Sequence, residues 1–254
     1  MNVGTYALCL ADRPERRANV EAELGRVGLA YSVFEAIRPS DALGFSSPGR
    51  RGCYESHLTL LRRAMDDGVD MAVFCQDDLW IPRTFDVAWP LILATLAVTT
   101  WQFIHLGYVR NFFPSVGAVV EPVGPHVGRL LAHDLLGAHF YAVHRDTIPD
   151  LVDFLQHRYD HGPRGSHDGA VNDFRRERGL YPLVAVPNLG EQMPSPSNIT
   201  PQTNPLSRAM HTMSALGPAL GAYRGVRRGF FEMDSAWAMR REVRRLAASA
   251  ADAG

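Results

Sequence analysis

Lysine is absent from this 254-residue chain, cysteine is scarce and net charge is almost nil. All 26 basic residues are arginines, which we read as a compositional bias of the source genome rather than a function. Three scattered cysteines, Cys9, Cys53 and Cys75, are too few to frame a metal knuckle or a disulfide scaffold. Cys9 and Cys75 lie inside apolar runs and read as small buried hydrophobes. A reducing cytoplasm is the expected compartment, and Met1-Asn-Val-Gly-Thr-Tyr6 lacks the basic start and apolar stretch of a signal peptide. A net charge of -1 provides no global pull toward nucleic acid or membrane. Residues 87–104 carry no formal charge and approach the length of a membrane span. Pro90, Thr95, Thr99, Thr100 and Gln102 argue instead for a buried helix from about Pro90 and then a strand over Trp101–Leu106.

What is present is an ordinary globular composition, 46% apolar and 21% charged, in a chain long enough for one large α/β domain. Apolar runs at Thr5–Leu10, Tyr31–Ile37 and Met71–Cys75 predict strands. Asp12-Arg-Pro-Glu15 matches a capping box that starts a helix ended by Gly25 and Gly28. Arg38–Arg51 reads as a loop and Tyr54–Met65 as a helix, through Leu58, Leu61 and Met65. Strand and helix in alternation predict a doubly wound, mainly parallel sheet. Downstream, Ala138–His144 reads as a strand, Asp146 as the cap of a helix to about Tyr159, Asp168–Arg178 as a helix and Leu183–Val186 as a last strand. Pro187–Pro205 is a long loop, so the domain ends near residue 205. A tail, 206–254, follows with one basic amphipathic helix, Ala236–Ala248. Arg240, Arg241, Arg244 and Arg245 lie on one side of that helix and Met239, Val243 and Leu246 on the other. The arginines suit either solvent or an anionic membrane face.

Gln76-Asp77-Asp78 follows the apolar run Met71–Cys75, so two carboxylates emerge where an α/β sheet places its chemistry. Carboxylates at a strand end can hold a hard ion such as Mg²⁺ or Mn²⁺ against a diphosphate; adjacent Asp residues also simply begin turns. Arg13, Arg16 and Arg17 stand near a helix start, where guanidinium groups and the helix dipole meet phosphate well. The same residues also suit a solvated helix. His139 and Tyr141 share one face of their strand.

Taken in order, these patches resemble glycosyltransferase family 25, the lipooligosaccharide and procollagen galactosyltransferase-like sugar transferases. The matching patches are Leu10-Ala-Asp-Arg-Pro-Glu-Arg-Arg17, Gly52-Cys-Tyr-Glu-Ser-His57, Gln76-Asp-Asp78, Gly137-Ala-His-Phe-Tyr141, Ser166-His-Asp168 and Glu191-Gln-Met-Pro-Ser-Pro-Ser-Asn-Ile199. They span about residues 3 to 200. The resemblance implies a single Rossmann-like domain of the glycosyltransferase A type that moves a hexose from a nucleotide sugar, such as UDP-galactose, to a glycan with inversion. It implies Asp78, with Asp77, as ligands of Mn²⁺ or Mg²⁺, and Asp77 as a further catalytic group facing the donor sugar. Leu10, Asp12, Arg13, Arg16, Ser56, His57, His139, Tyr141 and Gln192 would line the donor or acceptor. Asp168 would be the general base, although it also suits a helix cap. The family has Glu at position 76 and Asp at 198, where this chain has Gln76 and Asn198. Those amides leave open a metal-independent transferase that uses arginine, or a non-catalytic sugar-binding descendant. No nucleic-acid partner is expected; the C-terminal helix suits either packing of its apolar side onto the domain with its arginines in solvent, or a peripheral contact with the inner membrane face.

Overall fold

The computed structural model of the chain describes residues 1–109, 120–132, 134–193 and 217–252. In chain order the elements are β1 (Val3–Cys9), α1 (Pro14–Arg26), β2 (Ser32–Glu35), α2 (Pro48–Asp66), β3 (Met71–Gln76), β4 (Leu79–Trp80), α3 (Phe85–Val98) and β5 (Phe103–Gly107). There follow β6 (Val120–Gly124), β7 (Val127–Leu130), β8 (Phe140–His144), α4 (Ile148–His161), α5 (His167–Arg178), β9 (Leu183–Ala185), β10 (Glu191–Gln192) and α6 (Gly217–Asp252). Eight strands form one sheet in the order β2-β1-β3-β8-β5-β9-β7-β6, and β4 pairs with β10 in a separate ribbon. Six strands of the large sheet point the same way; β8 and β7 run against them. The expected α/β class, mainly parallel sheet and C-terminal helix are all present.

Strict alternation in the central strands makes three layers. Met71, Val73 and Cys75 of β3 join α1 and α3 through Val20, Leu24, Ala88 and Ile92. Ala72 and Phe74 face the other way, against Tyr54, Leu58 and Leu61 of α2, Leu151 and Leu155 of α4, and Phe174 of α5. Both faces of β3 are dry, which is why its sequence is apolar throughout.

Several boundaries differ from expectation. Helix α2 begins at Pro48, inside the predicted loop, because the Ser47 hydroxyl accepts from the Arg50 amide at 3.2 Å and Pro48 fits the first turn. The predicted capping box on α1 does not form: Arg13 holds the cap position without a side-chain bond, and Asp12 pairs with Arg38 at 2.5 Å. Helix α3 starts at Phe85 and runs through Pro90, and Thr147 rather than Asp146 precedes α4. Helix α6 is 36 residues long rather than one short segment. Residues 194–205, with Asn198, and residues 206–216 lie outside the described set. Among the described residues no helix is long and apolar enough to cross a membrane.

Candidate active site

Strand β3 ends at Gln76, and Asp77-Asp78 make the turn into β4. Both carboxylates are buried, 4% and 7% exposed, which is costly unless they are paired. Arg16, reaching across from α1, pairs with both: its Nε lies 3.1 Å from Asp77 Oδ1, and its Nη2 contacts Asp78 Oδ2. The amide of Leu10, just past β1, donates to Asp77 Oδ2 at 3.1 Å. Asn19 Nδ2 donates to the carbonyls of Asp77 at 3.3 Å and Leu79 at 2.9 Å, which pins the turn to α1. Burial raises the Asp77 carboxyl above its usual range, against the opposing pull of Arg16 and the Leu10 amide.

Three of the four carboxylate oxygens are thereby engaged. Asp78 Oδ1 is buried and has no hydrogen-bond partner among the described residues. His139 Nδ1 is in the same condition, and its ring feels the charges of Asp78, Glu191 and Asp168. Its other nitrogen lies 3.2 Å from the Gly190 carbonyl. A side chain at Gly107 would strike His139 Nε2 at 2.8 Å and the Gly190 backbone at 2.9 Å, so the glycines at 107 and 190 let two segments close around this ring. Buried polar atoms left unpaired in the free protein mark where a ligand would complete the bonding.

Asp168 lies at the start of α5. Ser166 caps α5 by accepting from the Gly169 amide at 3.2 Å, and half-buried Asp168 follows in the first turn. The charges of Asp168 and Asp78 both act on the Cys53 thiol, as they do on His139, so the two carboxylates lie in the same neighbourhood. A recess beside Asp168 is lined by His105, Gly137, Tyr141, His167 and Arg175.

Below it lies a buried aromatic cluster. The Tyr141 hydroxyl is 3.1 Å from His57 Nδ1 and 2.9 Å from His167 Nε2, and the two imidazoles stack with centroids 4.2 Å apart. The hydroxyl can donate to only one ring and accepts from the other. Arg175 Nη1 donates to His105 Nε2 at 2.8 Å, and Nη2 donates to Asn172 Oδ1. Burial holds all these rings neutral: His167 falls to about 3, and His57 and His105 fall well below their usual value. Burial likewise lowers Arg175 to about 10.

The structure therefore brings Leu10, Arg16, Asp77, Asp78, His139 and Asp168 together and separates others from them. Ser56 is fully buried; its hydroxyl donates to the Gly52 carbonyl at 2.6 Å and accepts from the Ile37 amide at 2.8 Å, so it joins α2 to the chain after β2. His57 and Tyr141 are committed to the core cluster. Asp12 is exposed against Arg38, and Arg13 lies 3.7 Å from Glu15. Gln192 sits on β10 with its amide 3.4 Å from Gln76 Oε1, so the two amides meet at the surface beside the carboxylate turn. His105, His167 and Arg175 escaped the sequence reading. Arg175 lies two helical turns after Asp168, a same-face spacing that would have linked them.

No family model matches the chain. It is similar to the lacto-N-neotetraose biosynthesis glycosyltransferase LgtB of Neisseria gonorrhoeae, 30% identical over 29% of this chain and 32% of that one. It is also similar to LgtE of Neisseria meningitidis serogroup B, 26% identical over 32% of this chain and 39% of that one. The chain thus spans about a third of the length of these relatives. Among solved structures, mannose-1-phosphate geranyltransferase from Thermus thermophilus matches with a TM-score of 0.42 and 12% identity over 75% of each chain. A glycosyltransferase involved in glycosylation of the PBCV-1 major capsid matches with a TM-score of 0.36 and 9% identity, over 63% of this chain and 68% of that one.

Proposed function

We propose that the chain is a glycosyltransferase that moves a hexose from a nucleotide-sugar donor, a UDP-sugar in the first instance, to a glycan hydroxyl with inversion. The observation that carries this reading is the buried carboxylate turn at the end of β3, closed by Arg16, with Asp168 near enough to act on the same buried groups. Similarity to sugar transferases over part of the chain supports it. Asp168 takes the proton of the acceptor hydroxyl, whose oxygen forms the new bond to the anomeric carbon. The bond from that carbon to the diphosphate breaks on the opposite side, and its electron pair leaves with the phosphate oxygen. The guanidinium of Arg16 and the N-terminal end of α1 offset the negative charge that departs.

The acidic turn fits a divalent ion in one way only. A hard ion takes about six oxygen ligands, and Asp78 Oδ1 is the one carboxylate oxygen of the turn left unpaired among the described residues. Among the described residues no three His, Cys, Asp or Glu side chains gather as an ion site. Asp78 would hold Mn²⁺ or Mg²⁺ together with diphosphate and water oxygens, and the ion would add Lewis-acid support to the leaving group. Glu in place of Gln76 would add a second carboxylate beside the turn.

Calorimetric titration tests this reading. Mn²⁺ alone should give no measurable heat of binding, UDP alone should bind, and UDP with Mn²⁺ should bind more tightly by about tenfold or more. Gln76→Glu should widen that gap. Binding of UDP that ignores the ion in both proteins would leave Arg16 as the sole cation. Absence of both UDP binding and UDP-sugar turnover would favour the non-catalytic descendant and sink the transferase reading for UDP donors.

A further inference from the structure

Helix α6 is fastened to the domain along one side. Phe231 packs with Trp80 and Met193, and Met239 reaches the main core. Ser235 Oγ lies 2.6 Å from Thr84 Oγ1, Glu232 accepts from the Arg83 amide at 3.0 Å, and Arg228 pairs with Glu23 while lying over the Trp80 ring. These contacts settle which way the helix faces. The opposite side carries Val226, Phe230, Met233 and Trp237, spaced four, three and four residues apart, and they are 59%, 62%, 61% and 57% exposed. One turn on, the same side carries exposed Arg240, Arg241 and Arg244, with the Arg241 guanidinium 4.7 Å over the Trp237 ring.

The sequence had suggested an apolar side of Met239, Val243 and Leu246 packed inward. Met239 is buried, Val243 is 52% exposed, and the Leu246 side chain is outside the described set. The outward apolar stripe, Val226 to Trp237, lies N-terminal to that segment.

We propose that this face of α6 docks onto an anionic lipid bilayer. Four consecutive outward apolar positions, two of them aromatic, form a stripe that solvent alone would leave exposed at a cost. Phe and Trp on a helix face with arginines beside them match the acyl-headgroup boundary, where the rings enter and guanidinium groups bind phosphate. Charge complementarity selects this occupant over a second copy of the chain. The carboxylates of Glu232 and Glu242 belong to the inner half, where Glu232 meets Arg83 and Glu242 pairs with Arg245 at 2.7 Å. A copy of the same face would therefore bring Arg240, Arg241 and Arg244 of each molecule together, with Asp234 the one acid bordering that side among the described residues. The docking does not depend on the sugar chemistry. It does place the carboxylate turn on the side of the bilayer, because Arg227 of the same helix pairs with Glu191, next to Gln192.

The full chain would be sedimented with vesicles of phosphatidylcholine alone and of phosphatidylcholine mixed with phosphatidylglycerol. Wild type should pellet with the anionic vesicles. The double variant F230S/W237S should partition about tenfold to a hundredfold more weakly on them. The triple variant R240Q/R241Q/R244Q should lose a comparable factor on the anionic vesicles only. Unchanged melting temperatures would show that the variants are folded, and unchanged UDP binding would separate this surface from the carboxylate turn. Failure of wild type to pellet, or equal pelleting of wild type and both variants, would overturn the proposal. So would dimerisation in lipid-free light scattering that F230S/W237S abolishes, since a second copy would then cover the stripe.

Discussion

Asp168→Asn should lower turnover about 10²- to 10⁴-fold, the usual contribution of a positioned general base, while leaving UDP affinity within a factor of about two. The amide keeps the shape of the side chain but cannot take a proton from the acceptor hydroxyl. Binding should survive because the groups assigned to the diphosphate, Arg16 and the end of α1, belong to other elements than α5. Stability should fall by no more than about 1 kcal/mol, since only a first-turn charge favourable to the helix dipole is lost. Turnover is read as UDP release from the UDP-sugar, with the melting temperature as a control. A loss of less than tenfold would remove Asp168 from the base role and leave it as a helix-start residue.

The second large effect is on acid stability. His57, His105, His139 and His167 are buried as neutral rings, all below the ordinary histidine value of 6.5 and His167 near 3. Below pH 6.5 the unfolded chain takes up protons that the folded chain refuses, so falling pH favours unfolding. The stability is fully present above that value and is lost as pH drops from 6.5 toward the folded values. Between pH 7 and pH 5 the His167 ring, held near 3, costs about 2 kcal/mol, a sizeable part of an ordinary domain's stability. His57, His105 and His139, all lowered by burial, act in the same direction. Urea unfolding midpoints at pH 7, 6 and 5 should therefore fall steeply, and His167→Gln should flatten the slope by about one proton. A midpoint that hardly moves between pH 7 and 5 would mean these rings are not sealed from water in solution.

This cluster also marks where sequence reading stops. His57 and Tyr141 carried a resemblance to a donor-binding family, and a lone histidine on a helix does not announce whether it faces a ligand or a tyrosine. The partner of His57 is 84 residues away and that of His105 is 70 residues away. Those meetings depend on β8 inserting antiparallel between β3 and β5, which no local pattern states. Ser47-Pro48 was a readable helix start hidden in a Pro, Gly and Ser stretch that also reads as a loop. The Val226, Phe230, Met233, Trp237 spacing was readable as well. It was missed because the arginines further along the helix drew the boundary.

Residues alone determined the layered α/β plan. A strand buried on both faces must be apolar throughout, as Met71–Cys75 is, and helices at their own period must cover it. They also placed Asp77 and Asp78 at the strand end, because chain continuity puts the polar turn there. Tertiary structure alone decided that Arg16 closes over both carboxylates, that Tyr141 bridges His57 and His167, and that Arg175 meets His105. Each of these is a contact between elements distant in the chain, and its geometry follows from how strands and helices pack rather than from any run of neighbouring residues.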